Sequence, residues 1–226
     1  MYQVDLCHLG DRCQPGILID DILNIHQKSL FMLGEYPLNT IIQYLNDKNY
    51  ENIFNKEHLQ FPKTTGRTKH TLYDFGFVHD YRIDANGNVL NTQAVIKRFR
   101  EKILNFKQML QNDRTTVYIN FTDHTSIDTI NINGIVDWLN TNKKNKNYHL
   151  ILFTMGDLGN IPHIPNVSIL QLDRMRHAFW QLKGQQKIEL YREIYTKFIA
   201  CLETNTITHD FPKTFEETHF GKTNDV

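Results

Sequence analysis

Cys13 is the residue of this chain whose neighbours best suit chemistry. It sits in Leu9-Gly10-Asp11-Arg12-Cys13-Gln14-Pro15-Gly16, a turn between an alternating run, Tyr2 to Leu9, and apolar residues at helical spacing, Ile17, Leu18, Ile22 and Ile25. A thiol at a helix N-terminus meets the positive end of the helix dipole, which stabilises the thiolate, and the Arg12 guanidinium adds to this if it faces the sulfur. The competing reading is packing, because free cysteine is among the most commonly buried residue types. Cys7, inside the strand pattern, and Cys201, inside a late helix pattern, are read as core. His79-Asp80 closes an apolar run from Thr71 and offers an imidazole base with a carboxylate beside it. Neighbours along a strand point to opposite faces, so Asp80 orients His79 only if the chain turns there. A surface His-Asp at a strand end is the plainer alternative.

Two further loops follow strand-like runs: Asp123-His124-Thr125 and Met155-Gly156-Asp157-Leu158-Gly159. The second suits a phosphate or sugar group but is no P-loop, since no Gly-Lys-Ser/Thr follows. Gly10, Asp11, Arg12, Asp123, His124, Gly156 and Asp157 are the expected ligand-binding residues. Cys7, His8 and Cys13 match no common zinc spacing, so neither a metal nor a cofactor is expected.

These loops need a scaffold that brings them together. Residues 116–121, 149–153 and 167–172 read as strands, while 38–45, 95–111, 130–139 and 188–202 read as helices. The strongest pattern is Val95, Ile96, Phe99, Ile103, Phe106 and Leu110 on one helical stripe. Alternating strands and helices predict an α/β fold: a mostly parallel, Rossmann-like sheet with helices on both faces, in three α/β/α layers. Ligands in such sheets bind beyond the carboxyl ends of the strands. One domain over 1–203 is expected, with an irregular insertion at about 46–70 and a polar tail over 204–226.

Composition narrows the function classes. Across 226 residues, 25 Lys and Arg balance 25 Asp and Glu, so no overall field draws the chain to nucleic acid or an anionic membrane. Local basic stretches at Lys63–Lys69, Lys97–Lys107 and Lys143–Lys146 still offer surface for a phosphate-bearing ligand. Three cysteines argue against a disulfide scaffold. No secretory pattern and no membrane-length apolar run is present in the sequence, which predicts a cytoplasmic protein. The expected partner is a small-molecule, glycan or peptide substrate, with no membrane and no nucleic acid.

Three segments together carry a resemblance. Leu9 to Pro15 resembles the opening Leu-Gly-x-x-Cys-x-Pro of a bacterial and viral domain family named for papain-like cysteine peptidases. Phe77-Val78-His79-Asp80-Tyr81 is similar to its His-Asp-aromatic segment. Phe99 to Met109, followed by Val117-Tyr118-Ile119-Asn120, is similar to its basic helix and next strand. The resemblance implies a thiol nucleophile at Cys13, a base at His79, support from Asp80, and hydrolysis or acyl transfer in a bacterial or virus-infected cell. Tyr36-Pro37-Leu38-Asn39-Thr40 keeps only the proline of the family's Pro-Phe-Asp-Trp. The periodicity favours a Rossmann-like sheet over papain's helical domain and barrel. Two other readings stand beside the hydrolase: a glycosyltransferase-like or nucleotide-sugar-binding protein of glycan assembly, using the loops after Phe121 and Phe153, and a catalytically inactive binding module.

Overall fold

The computed structural model describes residues 3–10, 20–23, 29–31, 34–47, 49–61, 68–77, 81–82, 84, 86, 89–122, 129–154, 161–172 and 182–218. In chain order the strands are β1 (Asp5–His8), β2 (Leu59–Gln60), β3 (Thr68–His70), β4 (Phe75–Phe77), β5 (Thr116–Thr122), β6 (Tyr148–Thr154) and β7 (Val167–Gln171). The longer helices are α1 (Leu38–Asn46), α2 (Thr92–Gln111), α3 (Thr129–Asn142) and α4 (Gln185–Thr204). β1, β5, β6 and β7 form a parallel sheet in that order, and β2, β3 and β4 a small antiparallel one.

A parallel sheet covered on both faces needs apolar residues at successive positions, which is how β6 reads, with every residue from Tyr148 to Thr154 buried. The two-residue period sorts them. Leu6, Val117, Ile119, Phe121, Ile151 and Phe153 enter one core, where α4 packs through Leu190, Ile194, Phe198 and Leu202, joined by Ile22 and Leu23. Cys7, Leu9, Tyr118, Leu150 and Leu152 enter the other, beneath α1, α2, α3 and the small sheet. The expected three-layer α/β fold is the observed one.

The α2 stripe buries Val95, Phe99, Ile103, Phe106 and Leu110, as the spacing predicts, while Ile96 is only half-buried. Lys102 is buried on this helix too, its ammonium 4.6 Å from the Phe99 ring centre. α1 and α3 approach closely at Gly134, where a Cβ would stand 2.9 Å from Ile42 Cδ1.

Two stretches outside the parallel sheet carry structure of their own. Within 46–70 the described residues hold 3-10 turns at Tyr50–Phe54 and Lys56–His58, then β2 and β3. Tyr73 and Asn52 both donate to Asp47, and Arg100 of α2 grips Glu51 at 2.7 Å. Short-range asparagine and aspartate turns hide such a segment from any period-based reading. The polar tail, through residue 218, belongs to the domain. Phe211 and Phe215 are 4% and 2% exposed and enter the α4 core, and the Tyr195 hydroxyl donates to Pro212 O at 2.6 Å. Two aromatics seven and eleven residues beyond the end of α4 carry too little periodicity to announce this.

Candidate active site

The four parallel strands end on one edge, with Thr122 in register with Thr154, and Thr154 with Gln171. Gly10 is the one expected site residue within the described structure. Asp11, Arg12, Cys13, His79, Asp80, Asp123, His124, Gly156 and Asp157 lie outside the described residues. In sequence, Asp11 to Cys13, Asp123-His124 and Gly156-Asp157 come soon after the carboxyl ends of β1, β5 and β6. The strand order never reverses among the described strands, so they lack the crevice that forms where strand order switches.

The end of β1 is held by the neighbouring strand β5. Leu9 N donates to Ile119 O at 2.7 Å, and Asn120 Nδ2 donates to both Leu9 O and Gly10 O, the latter at 3.2 Å. Asn120 is 1% exposed, and its Oδ1 has no donor among the described residues. Gly10 has no room for a side chain: a Cβ would lie 2.3 Å from Phe31 O and 3.2 Å from Tyr36 Cδ2. The Tyr36 ring packs edge-on against Phe31, Phe75 and Phe77, at centroid distances of 5.5, 5.0 and 6.3 Å. Glu35, beside it, exchanges backbone hydrogen bonds with Gly76 of β4. Phe77 in turn packs on Tyr81 at 5.4 Å, so the chain on either side of His79-Asp80 is anchored at one point. Gly10, three residues before Cys13, and Phe77, two before His79, therefore meet on a single aromatic ring. Nothing in the sequence spacing links them, because the link is Tyr36, whose only visible signal is the break at Tyr36-Pro37.

On the opposite face of β1, His8 Nε2 lies 3.0 Å from Asp20 Oδ1, with side chains 3% and 4% exposed. The backbone N–H of His8 donates to Ser29 Oγ at 3.2 Å. In the sequence His8 reads only as a poor metal-ligand candidate, and nothing there pairs it with Asp20. The period of the strand, which puts His8 on the face of Leu6, was the available signal.

Cys7 and Cys201 are poorly suited to nucleophilic work. Burial, with Asp5 nearby, pushes the Cys7 thiol far up. Burial also raises Cys201, although hydrogen bonds from Ser168 and Asn205 pull the other way. Cys201 belongs to a cluster at the amino ends of β6 and β7: His149 Nε2 is 2.9 Å from Ser168 Oγ and 4.0 Å from Cys201 Sγ, and Asn205 Nδ2 donates to Ser168 Oγ at 3.2 Å. Burial holds His149 below its ordinary value. At the same edge the Lys143 ammonium donates to Met109 O, Asn112 O and Asn112 Oδ1, at 2.7, 2.8 and 3.1 Å, capping the C-terminus of α2. Asn112 Nδ2 donates to Asp5, which also pairs with Arg114 at 3.1 Å.

Part of the expected basic surface is thus internally engaged. Besides Lys143, Arg100 holds Glu51, Lys107 lies 5.0 Å from the Tyr50 ring centre, and Lys144 pairs with Asp113 at 3.1 Å. Among the described residues no three His, Cys, Asp or Glu side chains form a metal site, and no helix is long and apolar enough to cross a membrane.

Comparison with known proteins returns nothing. No family model, curated protein or solved structure matches the chain.

Proposed function

We propose that the protein is a thiol-dependent hydrolase or acyl-transfer enzyme, with Cys13 as nucleophile, His79 as its base and Asp80 in support. The observation that carries this reading is the packing of Gly10 and Phe77 on the one Tyr36 ring, which draws the strand ends preceding Cys13 and His79 to a common place. The imidazole takes the thiol proton and the sulfur attacks an acyl carbon. The tetrahedral oxyanion collapses as the C–X bond breaks, and the imidazolium protonates the leaving group. Water or another acceptor then cleaves the thioester and restores the thiol. The site takes an acyl group of a small molecule or peptide, in keeping with the papain-like resemblance. The nucleotide-sugar reading gains no observation of its own, since Lys143, Arg100 and Lys107 are engaged within the protein.

Iodoacetamide near neutral pH tests the assignment, with the modified peptide identified by mass spectrometry. Cys13 is expected to react at least about tenfold faster than the buried Cys7 and Cys201, and His79→Ala to slow it by a similar factor. Alkylation of Cys13 no faster than of the two buried thiols would falsify the nucleophile. An unchanged rate in His79→Ala removes the base.

A further inference from the structure

We propose that His149 and Cys201 hold a monovalent thiophilic cation, Cu(I), at the amino ends of β6 and β7. Four side chains from three elements meet there. His149 of β6 shares its face of the sheet with Ile151 and Phe153, Ser168 comes from β7, and Cys201 and Asn205 lie one turn apart at the end of α4. His149 Nε2 stands 2.9 Å from Ser168 Oγ and 4.0 Å from Cys201 Sγ, and Asn205 Nδ2 stands 3.7 Å from the same sulfur. Metal bonds of about 2.0 Å to an imidazole nitrogen and about 2.3 Å to a thiolate sulfur, the values for zinc, together reach about 4.3 Å. One ion therefore spans the 4.0 Å between the two atoms, bent from linear.

The number of donors and their burial choose the cation. Imidazole and thiolate are both good ligands for copper, and thiolate selects Cu(I). No third His, Cys, Asp or Glu joins them among the described residues, so the three or four strong donors that Zn2+ takes are missing. His149 and Cys201 are 4% and 6% exposed, and a net charge held there is costly. A thiolate, a neutral imidazole and one positive charge sum to zero, whereas a divalent ion leaves a charge uncompensated. Binding sends the thiol proton to solvent, and nothing is oxidised or reduced. Asn205 Nδ2 donates to Ser168 Oγ at 3.2 Å and to Cys201 O at 2.8 Å. The Ser168 hydroxyl is left to give its hydrogen to Nε2, so the ring faces the cluster with a lone pair, the form that binds metal. Asn205 is exposed and Ser168 half-buried, which opens the cluster to solvent on one side. The inference does not depend on Cys13 being the nucleophile.

The test is anaerobic titration of the full chain with Cu(I) against a chromogenic Cu(I) chelator, in a Cys13→Ala background so that a thiol outside the cluster does not compete. One equivalent is expected to bind, and Ag(I), the redox-inert counterpart, to raise the melting temperature as its concentration rises. Zn2+ at the same concentrations is expected to leave the melting temperature unchanged. Cys201→Ser and His149→Leu should each weaken Cu(I) binding at least about hundredfold, since loss of a ligand exceeds the effect of losing a group behind it. No uptake, uptake that survives either substitution, or an equal thermal shift with Zn2+ overturns the proposal. If the two variants do not fold, X-ray absorption of the Cu(I)-loaded Cys13→Ala protein decides. One sulfur and one nitrogen bound to copper support the pair, and sulfur alone or two sulfurs overturn it.

Discussion

The two edges of the parallel sheet are built from the same residue types and use them differently. At the amino edge, polar groups pair with one another. Lys143 caps α2, Asp5 takes Asn112 and Arg114, and His149, Ser168, Cys201 and Asn205 share hydrogen bonds. At the carboxyl edge, His8 Nδ1 and Asn120 Oδ1 are buried without a partner among the described residues, and Gly10 is pressed against Phe31 O. A histidine and a cysteine lie close at the amino edge, yet burial raises that thiol and lowers that imidazole. Proximity of nucleophile and base is therefore not enough. Solvation decides whether they can ionise.

The largest effect that separates the edges is expected for Lys143→Met. It strips three acceptors of an ammonium donor and should cost about 2–4 kcal/mol in urea unfolding, without altering Cys13 alkylation relative to Cys7. A marked drop in Cys13 reactivity in this variant would mean that the edges are coupled. Gly10→Ala comes next. Its Cβ must displace a backbone carbonyl, so about 1–3 kcal/mol is expected, together with loss of Cys13's kinetic advantage. An alanine here that left both unchanged would show that the approach to Phe31 and Tyr36 is not needed. Cys201→Ala should cost about 1 kcal/mol and leave alkylation of Cys13 untouched.

A smaller effect should appear in the acid limb. Because burial depresses His149 in the folded state, the unfolded chain binds the proton more readily, and stability rises with pH in that window. The contribution is fully present above about pH 6.5 and is lost as pH falls through the lower folded value. His149→Gln should flatten the fall in melting temperature below about pH 6.5, with the residual slope assigned to His70, which burial depresses in the same direction. An undiminished slope in His149→Gln would show that the ring protonates freely in the folded state. Arg100→Gln, which breaks an exposed pair with Glu51, should change neither unfolding nor alkylation measurably.

The sequence alone determined the longer strands and helices and their class. Val95, Phe99, Ile103, Phe106 and Leu110 on one stripe, and the alternation through β5 and β6, are local patterns that follow from the 3.6- and two-residue periods of the backbone. Those periods also placed Cys7 and Cys201 in the core, where both are buried. What only the tertiary structure decided are the meetings across long stretches of chain: Asp20 with His8, Asn120 with the Leu9 and Gly10 carbonyls, Phe211 and Phe215 with α4, and Tyr36 with Gly10 and Phe77. None of these is periodic. Each depends on how the two faces of the sheet are covered, and burial, which turns an ordinary histidine or asparagine into an unmatched acceptor, exists only once the layers have closed.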